Sequence, residues 1–183
     1  RKLKPKFLHL PTQGLKCVLD KVSPSGGQWT DKAIEEFKNL TGDKKLFLKV
    51  LNTSADSTHM VMLENQEENI DITRILIETG YCTLSTDTAT KKIISSPYPS
   101  LNLHLGTTTD VYVSWIENPH RFWCQPVSEE NALDSVAETL QEQYNSGIGA
   151  NLTVHSVIPG MAVVSLFSED GAWYRAVVEA VAG

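Results

Sequence analysis

Residues Gly160–Gly183, GMAVVSLFSEDGAWYRAVVEAVAG, admit one simple arrangement. Val163, Val164, Leu166 and Phe167 form a β-branched and aromatic run, and Trp173 to Val181 form a second. Between them, Ser168-Glu169-Asp170-Gly171 has the chemistry of a tight turn. The segment therefore reads as a β-hairpin. Phe167 and Tyr174 flank the turn, so two aromatics stand near one end of it. Such a pair either begins a cage for a large, weakly hydrated cation or supplies two core aromatics of a small barrel, and the pattern alone leaves both open. Trp173 has the opposite pleat from Tyr174 and reads as a core or interface residue. A lone hairpin is marginal in water. This one must dock on a helix, pair with another copy or be completed by a separate chain.

A chain of 183 residues holds one or two small domains with a real core. Its formal net charge of −6 argues against a nucleic-acid partner, because phosphate binding needs a basic face. The same charge would attract a basic, arginine-rich peptide. Cys17, Cys82 and Cys124 are odd in number and widely spaced, which gives neither a zinc pattern nor a disulfide framework. Cys17 reads as a small core residue, and a reducing compartment is the default. The His residues, among them His59, His104 and His155, lack the spacing of a metal site and are expected on the surface or at a barrel rim. No metal and no cofactor are expected. No apolar run reaches membrane-spanning length, so no membrane partner is expected either. The opening RKLKPK reads as the interior of a longer protein.

Taken in order, Phe7 to Val22 gives an apolar lead-in and then a strand in which Leu15, Cys17 and Leu19 share one face. Trp29 to Gly42 reads as a helix, with Thr30 as N-cap, Asp31 in the first turn, Ala33, Ile34, Phe37 and Leu40 inward, and Gly42 as its stop. Leu46–Leu51 and His59–Leu63 are two strands of a hairpin. Ile70 to Gly80 is a short helix. Thr83 to Ser100 is polar and proline-bearing, the composition of a mobile linker. Strand chemistry returns over Leu101 to Pro126, with a turn at Asn118-Pro119. Ser128 to Tyr144 is a helix capped by Ser128, with Leu133, Val136, Ala137, Leu140 and Tyr144 on one face.

Three stretches carry a family resemblance. LFSEDGAWYRAVV resembles the opening hairpin of a Tudor barrel. LPTQGLKCVLDKV is similar to the segment by which extended Tudor domains re-enter a staphylococcal-nuclease-like barrel after the inserted Tudor barrel. DVYVSWIENPHRFWCQ resembles the first hairpin of such a domain. The resemblance implies a mainly β chain with helices (α+β), a staphylococcal-nuclease-like OB barrel plus part of a Tudor barrel. It also implies an unusual order. Residues 1–82 correspond to the C-terminal half of one nuclease-like barrel, and 83–105 to a linker. Residues 106–159 give the first hairpin and connecting helix of the next domain, and 160–183 the first hairpin of a truncated Tudor barrel. Because the two halves of a barrel are both present in swapped order, Thr109 to Gln125 is expected to pair with strands between Leu15 and Leu63, within one molecule or between two.

In the family, two aromatics of this hairpin and two of a later strand enclose a methylated arginine. Phe167 and Tyr174 match the first two. The later strand carries an Asp-Tyr-Gly-Asn motif, and the chain reaches Gly183 without one. The resemblance implies a non-catalytic reader of symmetrically dimethylated arginine on PIWI-class Argonaute proteins, in cytoplasmic germ granules of the piRNA pathway. With half a cage, this chain is expected to bind weakly or not at all. The alternative is a structural element between Tudor modules with no ligand of its own, self-associating through open strands. A nuclease is disfavoured, because Asp20 and Asp31 belong to no carboxylate cluster and no arginine follows them until Arg74.

Overall fold

The computed structural model describes residues 3–4, 7–8, 11–12, 14–85, 98–99, 101, 103–145, 154 and 156–181. Among the described residues strands dominate a mixed α+β fold with three α-helices. It divides into two compact units, each assembled from separate stretches of sequence. One unit comprises Gln13–Lys92 and Asn102–Ser128, the other Arg1–Thr12, Ile93–Leu101 and Glu129–Gly183.

The first unit is built on strands β1 (Leu15–Leu19), β3 (Leu46–Thr53), β4 (His59–Asn65), β7 (Thr108–Asn118) and β8 (Arg121–Pro126). In sheet order β1, β8, β7, β3 and β4 follow one another, and β4 then pairs with β1, closing a five-stranded ring. The closing pair is parallel, with Cys17 opposite His59 and Leu19 opposite Val61. The remaining pairs of the ring are antiparallel. Closure removes the open edges that five separate strands would expose. The pairing between Thr109–Gln125 and the earlier strands thus occurs within one molecule, with Leu15 opposite Cys124 and Leu46 opposite Val111.

Period-two patterns on β1, β3, β4 and β8 point the same way, into the ring. Leu15, Cys17 and Leu19 of β1, Leu46, Leu48 and Val50 of β3, Val61 and Leu63 of β4, and Phe122 and Cys124 of β8 are all buried. Helix α1 (Asp31–Thr41) buries Ala33, Phe37 and Thr41, and the Phe37 ring meets Phe122 edge-on at 5.1 Å. Thr30 caps it by accepting from the Ala33 N–H at 3.2 Å. Gly42 ends it without a left-handed backbone, at φ −65°. Glycine is needed there for space, because a Cβ would sit 2.8 Å from the Lys38 carbonyl oxygen. The left-handed residue is the next one, Asp43, at φ 52°.

Several boundaries differ from the sequence pattern. Ile70–Asp71 forms a short strand β5 on β4, and the helix α2 spans Ile72–Glu78, starting at Ile72 rather than Ile70. The reason is Asp71, whose carboxylate accepts from the Arg74 N–H and caps α2. Thr83 and Leu84 belong to strand β6 (Cys82–Leu84), paired with β2 (Val22–Pro24), so the polar stretch begins inside a sheet. Residues 86–97 lie outside the described residues. His59 is a correction: it is buried, because β4 turns its first side chain inward, where Nδ1 lies 3.0 Å from Thr53 Oγ1. Burial holds its pKa below the ordinary value of 6.5. His104 is exposed, and His155 lies outside the described residues.

The second unit is organised by helix α3 (Glu130–Asn145) and the hairpin of β9 (Ala162–Leu166) and β10 (Trp173–Val177). A single 3-10 turn, Val127–Glu129, occupies the place expected for the Ser128 cap, so α3 begins at Glu130. Val136, Leu140 and Tyr144 of α3 pack with Val164, and Leu3, Phe7 and Tyr98 complete that core. Of the three ways to stabilise the hairpin, docking on the helix is the one adopted.

Candidate functional site

The hairpin has two chemically different faces. Trp173 lies opposite Leu166, Arg175 opposite Val164 and Val177 opposite Ala162. Their side of the pleat faces α3, where Trp173 and Val177 pack on the core. The Trp173 ring lies 5.7 Å from Tyr144, and its indole N–H donates to Asn145 Oδ1 at 3.0 Å. The Trp173 backbone is held by one side chain. Gln141 Oε1 accepts from the Trp173 N–H, and Gln141 Nε2 donates to the Trp173 carbonyl, both at 2.9 Å. The amide of Gln141 thus presents to β10 the donor and acceptor that a neighbouring strand would present.

Arg175 anchors the same face. Its guanidinium donates to the carbonyls of Phe7 (3.2 Å) and Pro11 (2.8 Å) and lies 4.9 Å from the centre of the Tyr98 ring. Burial lowers its pKa from the ordinary value, and it remains a cation. Tyr98 in turn donates its hydroxyl to the Ala176 carbonyl at 3.2 Å. No sequence pattern joins Phe7 and Tyr98 to this hairpin, because both sit in stretches that read as a lead-in and a linker.

On the opposite face, pleat parity brings Phe167 and Tyr174 together. Tyr174 is opposite Ser165, and Phe167 lies two residues beyond Ser165 on the same side. The ring centroids are 6.2 Å apart and nearly perpendicular, at 88°. Both rings are open to solvent, at 41% and 46% exposure. They are therefore neither in one core nor in two separate interiors. The turn between them is tied by Phe167 N–H donating to the Ala172 carbonyl and Gly171 N–H donating to the Phe167 carbonyl, each at 2.9 Å. Gly171 takes φ +69°, a left-handed conformation that suits glycine.

Asp170 is a residue of this site that the sequence reading missed. Its Oδ1 accepts from the Ala172 N–H at 2.8 Å, and its Oδ2 accepts from the Tyr174 hydroxyl at 2.6 Å. The phenol's hydrogen bond, and then the backbone one, hold the Asp170 carboxyl below its ordinary range. The carboxylate raises the phenol of Tyr174 in return. Two aromatic faces with a fixed anion beside them form a surface suited to a soft cation. Among the described residues, no group of three or more His, Cys, Asp or Glu is placed to hold a metal ion.

Comparison with known proteins gives the chain its relatives. Residues 103–182 match the Tudor domain family. The chain carries a Tudor domain. It is 28% identical over 200 residues to human Tudor domain-containing protein 1, across 97% of this chain and 16% of the human protein. It is 26% identical over 215 residues to zebrafish (Danio rerio) Tudor domain-containing 6, across 97% of this chain and 10% of that protein. The mouse Tudor and KH domain-containing protein is 34% identical over 81 residues, across 44% of this chain and 14% of that protein. Among solved structures, the chain is similar to the human Tudor domain-containing protein 1 extended Tudor domain in complex with a symmetrically dimethylated peptide. That match has 32% identity, covers 45% of this chain and 42% of that one, and has a TM-score of 0.42. The chain spans a sixth or less of the length of these Tudor domain-containing relatives. It is homologous to the Tudor domain-containing proteins.

Proposed function

We propose that the Phe167 and Tyr174 face of this Tudor domain receives a methylated arginine side chain, and that the chain is a non-catalytic binding module. The observation that carries the reading is the pair of perpendicular, solvent-open rings 6.2 Å apart beside the Asp170 carboxylate. Methylation removes donors from a guanidinium and spreads apolar surface over it, so aromatic faces replace its water well. The net charge of −6 favours a basic peptide. By resemblance to the extended Tudor family, the arginine is symmetrically dimethylated, its carriers are PIWI-class proteins, and the setting is cytoplasmic germ granules.

Titration of the chain with a symmetrically dimethylated arginine peptide, followed by NMR, tests this. The Phe167 and Tyr174 resonances are expected to shift, with weak affinity, and an unmodified peptide is expected to shift them less. Tyr174→Ala removes one wall, and the loss is expected between about twofold and thirtyfold, from the usual worth of a cation–π contact. Equal responses to methylated and unmodified peptides would end the reading. A second reading is a structural element that self-associates through the hairpin, favoured by exposed Leu166 and Ile158. Sedimentation that stays monomeric across concentrations removes it.

A further inference from the structure

We propose that Asp170 is the positioning residue of the Phe167–Tyr174 pair: its carboxylate fixes the Tyr174 ring in place for a ligand that has yet to arrive. The inference rests on the reading of this face as a methylarginine site, and it adds a residue and a device to it. The argument is geometric. A surface tyrosine on a two-stranded hairpin is free to change rotamer, and a ring that wanders cannot hold one face of a pocket. Tyr174 is 46% exposed and has the Phe167 ring, nearly perpendicular to it, on one side. Its far end is tethered by the 2.6 Å bond to Asp170 Oδ2.

The tether has a rigid base. Asp170 Oδ1 is held by the Ala172 N–H, and the two backbone bonds across the turn fix Phe167, Gly171 and Ala172 relative to one another. One carboxylate therefore links the turn that carries Phe167 to the tip of the Tyr174 ring. An ionised acceptor makes a shorter and stronger bond to a phenol than a neutral one. The low pKa of Asp170 keeps it ionised across the neutral range. The ordering cost of Tyr174 is thus met before the ligand binds, which is how preorganisation raises affinity.

Three variants of the full chain separate the possibilities. Asp170→Ala removes tether and charge, Asp170→Asn keeps a neutral acceptor, and Tyr174→Phe keeps the ring and the Ala172 bond but loses the hydroxyl. The ligand-free readouts are the NMR ring-current shifts of the Tyr174 ring protons beside Phe167 and the phenol titration of Tyr174. Asp170→Ala is expected to average those shifts toward free-tyrosine values and to lower the phenol pKa. Asp170→Asn is expected to restore the ring shifts. Tyr174→Phe is expected to match Asp170→Ala, and the double variant is expected to be no worse than either. Unmoved ring shifts and phenol titration in Asp170→Ala overturn the proposal, as do wild-type ring shifts in Tyr174→Phe, which would assign the Asp170→Ala effect to the Ala172 bond. For a symmetrically dimethylated peptide, Asp170→Ala is expected to weaken binding about three- to tenfold, with the Asn variant in between. A wild-type chain that shows the tether signature but ignores the methyl groups counts against the functional reading alone.

Discussion

Gln141 holds β10 to α3 through a single amide, and its removal gives a defined test of how the hairpin is stabilised. Gln141→Ala deletes both 2.9 Å bonds to the Trp173 backbone. A neutral hydrogen bond contributes about 0.5–1.5 kcal/mol net, so two are worth about 1–3 kcal/mol. Trp173 is only half-buried, and water can reach the freed N–H and carbonyl, which places the cost in the lower part, about 1–2 kcal/mol. The loss falls on local opening of the hairpin. Amide exchange at Trp173 should therefore accelerate by roughly five- to thirtyfold, since 1.4 kcal/mol is a factor of ten. Hydrogen exchange read residue by residue by NMR is the assay, with amides of β1 and β8 as the internal reference. Gln141→Glu sharpens it: the carboxylate still accepts from the Trp173 N–H but cannot donate to the carbonyl, so protection at Trp173 should fall part-way. If Trp173 exchanges no faster in Gln141→Ala than in wild type, the strand-mimic account is refuted and the hairpin is held by apolar packing alone.

Two further outcomes follow from the barrel. Phe122 is fully buried and meets Phe37 at 5.1 Å, so Phe122→Ala should cost about 3–5 kcal/mol by urea denaturation. A cost under about 1 kcal/mol would mean that the barrel does not close around that ring. His59 is buried with its imidazole held below the ordinary 6.5, so the unfolded chain takes up the proton first. Stability should then be full above about pH 6.5 and decline as the pH falls through and below that value, toward the lowered pKa of the folded chain. His59→Gln should flatten this slope when urea midpoints are compared at neutral and mildly acidic pH, and parallel slopes would show that another group is responsible.

What could be read in the sequence follows the reach of each physical rule. The alternation in Leu15, Cys17 and Leu19 depends only on the pleat of one strand, and all three are buried as the pattern requires. The Thr30 cap and the Ala33 and Phe37 face depend on one helix, and they too were legible. The adjacency of Phe167 and Tyr174 needed one more step, pairing across a single turn, and parity supplies it. His59 shows the first failure. It lies on the buried face of β4 with Val61 and Leu63, so alternation along the strand points it inward; what local spacing does not announce is the parallel pairing that sets it opposite Cys17. Gly42 was legible as the stop of α1, and it is the C-cap; what spacing does not announce is why glycine stands there, the Lys38 oxygen 2.8 Å from a Cβ.

The site divides along the same line. The two rings proposed as its walls were visible, since aromatics at a hairpin turn are conspicuous. Its supports were not. Asp170 looks like any turn carboxylate until the Tyr174 hydroxyl is seen 2.6 Å from it. Gln141, Arg175 and Tyr98 hold the opposite face by bonding backbone groups, and a side chain that bonds backbone leaves no pattern in the residues it bonds. This split has a consequence for the two faces of the hairpin. The α3 face is fixed by specific bonds to Trp173 and Arg175, while the solvent face is fixed by one carboxylate. Perturbing the first should destabilise the unit. Perturbing the second should leave stability nearly untouched and change only what the two rings can hold, so stability and ligand response are expected to separate cleanly between Gln141 and Asp170.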